Sequence, residues 1–158
     1  MAKASCSITI TVGLKHARRA VAFLSHPASF VDGVTTFEAL SVNSERHYRR
    51  GFDLWLGNAR RPKRYHGFDH SEYKGKYTRC FTFKNVDAGE RFYGFLCRPK
   101  TSADPHFEMC VLVCYAKKKR DETDPTQLER AEKMRKDPLV LSALTDPNLF
   151  MKGVGKNI

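Results

Sequence analysis

Basic side chains that could bind phosphate gather in four groups along this chain. The densest group spans residues 46–64, where seven Lys or Arg residues are opposed only by Asp53. The other groups lie at residues 15–19, 74–79 and 117–120. Because Lys and Arg neutralise backbone phosphates, this clustering predicts contact with a nucleic acid, RNA in the first place. The side chains expected to bind RNA are Arg46, Arg49, Arg50, Arg61, Lys63, Arg64, Lys76, Lys118 and Lys119.

Aromatic side chains are interleaved with these basic groups. An exposed ring can stack on a nucleobase, which is a common way of holding single-stranded nucleic acid. The candidate rings are Tyr48, Trp55, Tyr65, Tyr73, Tyr77, Tyr93 and Tyr115. Tyr48 and Trp55 also share one stripe of an expected helix with Phe52, a spacing that favours the protein core. The pattern leaves stacking and burial open for these two residues.

Few residues in the chain are suited to proton transfer. Of six histidines, only His66 and His70 lie close together, in an expected loop. A metal-independent ribonuclease needs one residue that moves a proton and cations around the scissile phosphate. The sequence contains no nucleophile elbow, P-loop, zinc-protease or zinc-deaminase motif. The residue types permit RNA cleavage, and no metal or cofactor is expected.

The five cysteines are widely spaced and lie in apolar, strand-like runs. In a reducing compartment such thiols stay free and pack as small hydrophobic side chains. Cys110 and Cys114 share one face of an expected strand, but burial explains this spacing as well as a metal site would. We therefore expect five free thiols.

The overall charge also favours a polyanionic partner. Among 158 residues, 28 Lys and Arg stand against 17 Asp and Glu, a formal net charge of +11. Such an excess of positive charge repels itself in the folded state, and a bound polyanion would relieve this repulsion. The alternative is a basic protein whose charge serves solubility alone. No apolar run reaches the roughly 20 residues of a membrane span, and the N-terminus does not resemble a signal peptide. We expect one cytoplasmic domain over residues 1–158, without membrane contact.

Hydrophobic periodicity predicts an α+β fold with an antiparallel sheet of about four strands. Strands are expected at residues 6–14, 77–84, 91–98 and 106–116, the last of them central and buried on both faces. Helices are expected at residues 15–25, shortly after Thr36, and at 45–56, 124–136 and 138–145. Ser44 and Asp124 are the expected caps of the two longer helices, and Gly57 is expected to end the first of them.

Three short stretches share their order and spacing with one protein family. KYTRCF at 76–81 and ERFYGF at 90–95 are similar to two family strands in which an arginine leads apolar residues. VLVCYAKK at 111–118, followed by QLERA at 127–131, is similar to the family's apolar strand, paired lysines and C-terminal helix. Over residues 76–136 the chain therefore resembles the RelE/HigB-type toxins of bacterial toxin–antitoxin systems, in particular their phage-derived branch. Its N-terminal half is longer than in typical members.

The resemblance implies a small antiparallel sheet with two N-terminal helices and a C-terminal helix. It also implies a metal-independent endonuclease that cuts mRNA on the ribosome and is neutralised by an antitoxin protein. The catalytic residues would be Arg79 and Arg91 on the phosphate, Tyr115 for stacking or proton transfer, and Lys117, which with Lys118 would hold the RNA backbone. Two alternatives remain open: a non-catalytic RNA-binding protein on the same scaffold, and a module whose basic surface meets an acidic protein partner.

Overall fold

A six-stranded mixed sheet forms the centre of the computed structural model. The structure describes residues 6–13, 18–27, 32–99, 106–117 and 125–146. The strands are β1 Ser7–Gly13, β2 Arg19–Ser25, β3 Tyr65–Gly67, β4 Cys80–Asn85, β5 Glu90–Cys97 and β6 Glu108–Lys117. Their order is β1-β2-β6-β5-β4-β3, so β1 and β3 are the edge strands. Neighbouring strands are antiparallel, except for the parallel pair β2 and β6.

Helices cover both faces of the sheet. α1 Gly33–Glu38 and α2 Val42–Leu56 pack on one face, called the α2 face below. α3 Pro125–Lys136 and α4 Pro138–Leu144 pack on the other, the α3 face. The hydroxyl of Ser41 accepts a hydrogen bond from the Ser44 amide (3.2 Å), so Ser41 and not Ser44 is the cap of α2. Asp124, the expected cap of α3, lies outside the described residues.

The predicted apolar stripe of α2 builds the core on the α2 face. Tyr48, Phe52 and Trp55 are each at most 3 % exposed. The Phe52 ring lies edge-on to Phe83 at 4.8 Å between centroids, and Tyr48 lies edge-on to Phe92 at 5.0 Å. Burial of each such side chain contributes about 1.5–3 kcal/mol. Tyr48 and Trp55 are therefore core residues and not stacking positions.

The expected helix at 15–25 is wrong, because β2 occupies its second half. The five central side chains of β2 are all buried and alternate between the faces: Ala20, Ala22 and Leu24 toward α3, and Val21 and Phe23 toward α2. Periodicity alone cannot separate a short, fully buried strand from a buried helix segment. Here β1 and β6 pair with β2 on its two sides, and these backbone hydrogen bonds stabilise the segment as a strand.

The α+β class is confirmed, but the sheet is not the antiparallel sheet of about four strands that the periodicity predicted. β2 and β3 are additional strands, and β2 introduces the parallel pair. Parallel neighbours need a long crossover, and α1 and α2 lie in the segment between β2 and the remaining strands. The hairpin β4–β5, the doubly buried β6 and the helices α2, α3 and α4 are confirmed in position, to within a few residues. α1 is present but begins at Gly33, before Thr36.

None of the helices in the described part of the chain is long and apolar enough to cross a membrane. All five cysteines carry free thiols, of which Cys80, Cys110 and Cys114 are buried.

Candidate nucleic-acid interface

A short connector joins α2 to the edge strand β3 and carries most of the densest basic group. Gly57 closes α2, and the Ala59 amide then donates to the Leu54 carbonyl (2.9 Å), folding the connector back onto the end of the helix. Tyr65, whose ring is buried in the core, donates its hydroxyl to the Ala59 carbonyl. The connector is thereby held against the C-terminal half of α2.

Six basic side chains lie along this connector and the adjoining side of α2. Arg46 and Arg50 are four residues apart, so they lie on the same side of the helix. The Arg64 guanidinium donates to the carbonyl of His47 (3.2 Å), which places it beside those two residues. Arg60, Arg61 and Lys63 of the connector are exposed, as are Arg46 and Arg50. The basic flank, as this surface is called below, consists of Arg46, Arg50, Arg60, Arg61, Lys63 and Arg64.

Most side chains of the basic flank form no ion pair with the residues that the structure describes. Within the described ranges, the side chains of Arg46, Arg50, Arg60 and Lys63 have no ion pair or hydrogen bond. Some cations elsewhere have partners, such as Lys76 with Glu129, whereas others, such as Lys74 and Arg98, have none among the described residues. Unpaired cations close together repel one another, and bound phosphates relieve this repulsion. The basic flank is therefore suited to binding a polyanion.

Five of the nine predicted RNA-binding residues belong to the basic flank: Arg46, Arg50, Arg61, Lys63 and Arg64. Arg49 lies on another side of α2, where it pairs with Glu45 (3.1 Å) and stacks over the Phe37 ring. Lys76 lies near α3 and its Nζ is 2.6 Å from the Glu129 carboxylate. Lys118 and Lys119 lie outside the described residues.

The predicted catalytic residues Arg79, Arg91, Tyr115 and Lys117 do not come together. Arg91 is opposite Lys84 on β4, whereas Arg79 precedes β4 by one residue. The five residues that separate Arg79 from Lys84 correspond to about 17 Å along a strand. Arg91 is 5 % exposed and lies on the α3 face, in alternation with the α2-face residue Phe92. Tyr115 and Lys117 are two residues apart on β6, so both lie on the α2 face, on the other side of the sheet from Arg91.

Tyr115 belongs to a buried hydrogen-bond cluster that the sequence analysis missed. Its hydroxyl donates to Glu90 Oε2 (2.6 Å), and Ser44 and Asn85 donate to Glu90 Oε1 (2.8 and 3.2 Å). Burial raises the pKa of Tyr115, and the hydrogen bond to Glu90 raises it further. Among the buried side-chain nitrogen and oxygen atoms of the described residues, only the hydroxyl of Tyr48 has no hydrogen bond. The cluster links the first turn of α2 to the sheet, so its evident role is structural.

Among the histidines that the structure describes, His66 is the best placed for proton transfer. It lies on β3 opposite Thr82, and its Nδ1 is 2.8 Å from the Gly67 carbonyl. Because a carbonyl only accepts, Nδ1 carries the proton and Nε2 keeps its lone pair. Burial lowers the pKa of His66, and the positive charges of Lys84 and Arg91 lower it further. A neutral imidazole with a free Nε2 can act as a general base near neutral pH.

Only one of the seven candidate stacking rings is well exposed. Tyr65, Tyr77 and Tyr93 are buried, like Tyr48 and Trp55, and Tyr115 is half-buried. Tyr73, in the loop between β3 and β4, is 39 % exposed. The expectation of several stacking rings is therefore wrong, because strand and helix periodicity placed most of them in the core.

Arg79 lies beside a cavity at the far end of the sheet from Arg91. The cavity measures about 230 Å³ and is lined on its apolar side by Phe95, Leu96 and Leu144. Small-molecule sites commonly measure about 300–1,000 Å³, so this cavity is small for a cofactor. Among the residues that the structure describes, no three His, Cys, Asp or Glu side chains are grouped to hold a metal ion.

Comparisons with protein-family models, with curated proteins and with solved structures give no match to this chain. The RelE/HigB resemblance therefore remains a hypothesis.

Proposed function

We propose that this chain binds RNA through the basic flank, which contacts the sugar–phosphate backbone. The observation that carries the proposal is the set of cations along α2 and its connector, four of which have no partner in the described part of the chain. Cations that contact phosphates release bound counterions, which supplies most of the binding free energy. Backbone contacts carry no sequence information, so binding by the flank itself is expected to depend little on sequence.

Charge reversal on the flank tests this proposal. Arg46→Glu with Arg50→Glu is compared with Arg98→Glu plus Lys133→Glu, which changes the net charge equally at exposed positions outside the flank. Binding of a labelled 20-nucleotide RNA is followed by fluorescence anisotropy. The flank variant is expected to lose at least about tenfold in affinity, equivalent to about 1.4 kcal/mol. Equal losses in both variants would contradict a localised RNA site.

RNA cleavage is a second candidate, favoured by the position of His66. Two helices, the antiparallel strands β3 to β6 and the helix α3 follow one another, which is the order that the RelE/HigB resemblance implies. In this proposal, Nε2 of His66 takes the proton of a ribose 2′-OH. The 2′ oxygen then attacks the adjacent phosphorus, and the 5′ oxygen leaves with a proton from solvent. Lys84 lies two residues from Thr82, the partner of His66, on the same face of β4, and Arg91 lies opposite Lys84, so their charges would stabilise the transition state.

The substrate expected for such an enzyme is mRNA on the ribosome, in the cytoplasm, and its expected inhibitor is an antitoxin protein. Wild type, His66→Ala and the control His70→Ala are expressed in bacteria, and mRNA 5′ ends are mapped. New 5′ ends and growth arrest are expected for wild type and His70→Ala only. The absence of new 5′ ends in wild type would contradict the cleavage proposal and would leave RNA binding without catalysis.

A further inference from the structure

The loop between β3 and β4 holds three consecutive residues in the left-handed backbone region. The φ angles are 49° at Tyr73, 57° at Lys74 and 74° at Gly75. Glycine adopts such angles freely, but they are unfavourable for a residue with a Cβ atom and rare for a bulky one. Backbone hydrogen bonds hold the turn, from Gly75 N to Glu72 O (2.9 Å) and from Lys76 N to Tyr73 O (3.1 Å). Strain of this kind persists where the surrounding structure enforces it, and it is commonly found at functional sites.

This backbone presents the Tyr73 ring outward on a rigid support. Phe68 and Tyr77 contact the ring at steep angles, with centroids 6.2 and 5.5 Å away. Both supporting rings are buried, and the Tyr77 hydroxyl is fixed by a 2.5 Å hydrogen bond to Glu129. Tyr73 itself remains 39 % exposed, the largest exposure of any aromatic side chain that the structure describes. The ring is therefore accessible and supported from below by two buried rings.

The position of Tyr73 relates it to the basic flank and to His66. Arg64, the last residue of the flank, directly precedes β3, and the loop that carries Tyr73 directly follows β3. The His66 ring contacts Phe68 at 5.1 Å, and Phe68 contacts Tyr73. Lys74, next to Tyr73, is exposed and has no ion pair within the described ranges. The flank lies beside α2, whereas Tyr73 rests on the α3-face residues Phe68 and Tyr77, so an RNA strand that contacts both passes around the β3 edge of the sheet.

We propose that Tyr73 is the stacking platform for one unpaired RNA base, and that Lys74 contacts a phosphate beside it. This inference rests on the proposed RNA binding and adds to it a preference for single-stranded RNA. Every nucleobase has a π face, so one such platform accepts any base. In a duplex the bases are stacked on one another, so they are not available to Tyr73.

The test separates base stacking from backbone binding by comparing two RNAs. One is a single-stranded 12-nucleotide RNA, and the other has the same length and phosphates but lacks the bases at its four central positions. Wild type is expected to bind the intact RNA about 5- to 150-fold more tightly, the range that corresponds to the usual worth of one stacked base. Tyr73→Trp is expected to keep this preference. Tyr73→Asn, which adopts left-handed backbone readily and so preserves the turn, is expected to lose it.

Val86→Asn is the matched control, because Val86 is an exposed apolar residue in the other turn that flanks β4. This variant is expected to keep the wild-type preference. Equal binding of the two RNAs by wild type, or an unchanged preference in Tyr73→Asn, would overturn the stacking proposal while leaving backbone binding by the flank intact. If wild type binds neither RNA, the proposed RNA binding fails and the stacking proposal with it.

Discussion

Hydrogen-bond partners determine which single residues are free to react. Tyr115, a candidate for proton transfer, donates its hydroxyl to Glu90, which also accepts from Ser44 and Asn85. His66 uses one ring nitrogen on the Gly67 carbonyl and keeps the other available. The residue types alone did not separate these two cases, because tyrosine and histidine can each serve structure or catalysis.

Tyr115→Phe is predicted to destabilise the protein without weakening RNA binding. The change removes a hydrogen bond to a carboxylate, worth about 1.5–3 kcal/mol of the free energy of unfolding. Urea denaturation measures the loss, and anisotropy with RNA measures binding. A variant of full stability that no longer binds or cleaves RNA would show that Tyr115 is functional after all.

The pH dependence of stability is predicted to carry the signature of His66. Burial lowers the pKa of His66 in the folded state, so below about pH 6.5, its usual unfolded value, the unfolded chain binds the proton more readily. The contribution of His66 to stability is complete above that pH and declines as the pH falls toward the folded pKa. His66→Gln should show a smaller loss of stability between pH 7 and 5 in denaturant titrations.

Among the elements, a single β-bulge explains why Tyr115 and Lys117 lie on the other face of the sheet from Arg91. Tyr93 pairs with Cys114 and Gly94 with Leu112, so Val113 is an extra residue in β6. Side chains alternate along a strand, and one extra residue exchanges the faces of everything beyond it. The bulge therefore turns Tyr115 to the α2 face, away from Arg91. Alternation in the sequence predicted β6 correctly but could not reveal this shift.

Gly94→Ala is predicted to disrupt the pairing of β5 and β6. A Cβ atom at Gly94 would lie 2.0 Å from the Val111 carbonyl oxygen, a backbone atom that cannot move without breaking the sheet. The expected loss is about 3 kcal/mol or more, at the upper end of overpacking in a core. Thermal or urea unfolding measures it.

Gly51→Ala provides the opposite control. Its Cβ atom would meet Phe83 at 3.7 Å, an ordinary contact, and alanine is the better helix former inside α2. This variant should gain about 0.5–1 kcal/mol. A similar loss in both variants would show that the close approach at Gly94 is not the cause.

The elements predicted most accurately from the sequence were those with a clear apolar periodicity and with turn or cap residues at their ends. α2 and α3 each carry an apolar stripe, and the β4–β5 hairpin alternates on both sides of a turn. β2 was mistaken for a helix because its run of five apolar residues is buried on both faces, which leaves no period to detect. Only its two neighbours in the sheet, distant in sequence, specify it as a strand.

For the molecule as a whole, the positive charge is the property on which the sequence-based expectation and the structure agree. The excess of +11 predicted a polyanionic partner. The fold adds the location, since α2 and its connector gather six of these cations on one surface, the basic flank. This part of the site could be predicted because its residues are close in sequence. Tyr73 and His66 could not be ranked above the other aromatic and histidine residues, because their exposure depends on packing between distant segments.

The salt dependence of RNA affinity tests the central claim, that the basic flank binds the RNA backbone, most directly. The logarithm of affinity falls by about 0.7 per neutralised phosphate for each logarithm of salt concentration, so six flank cations predict a slope near −4 for single-stranded RNA. Arg46→Ala with Arg50→Ala removes two contacts and should reduce the slope to about −3. Anisotropy titrations between about 50 and 400 mM KCl measure both slopes. A flat wild-type profile, or an unchanged slope in the double variant, would contradict backbone binding by the flank.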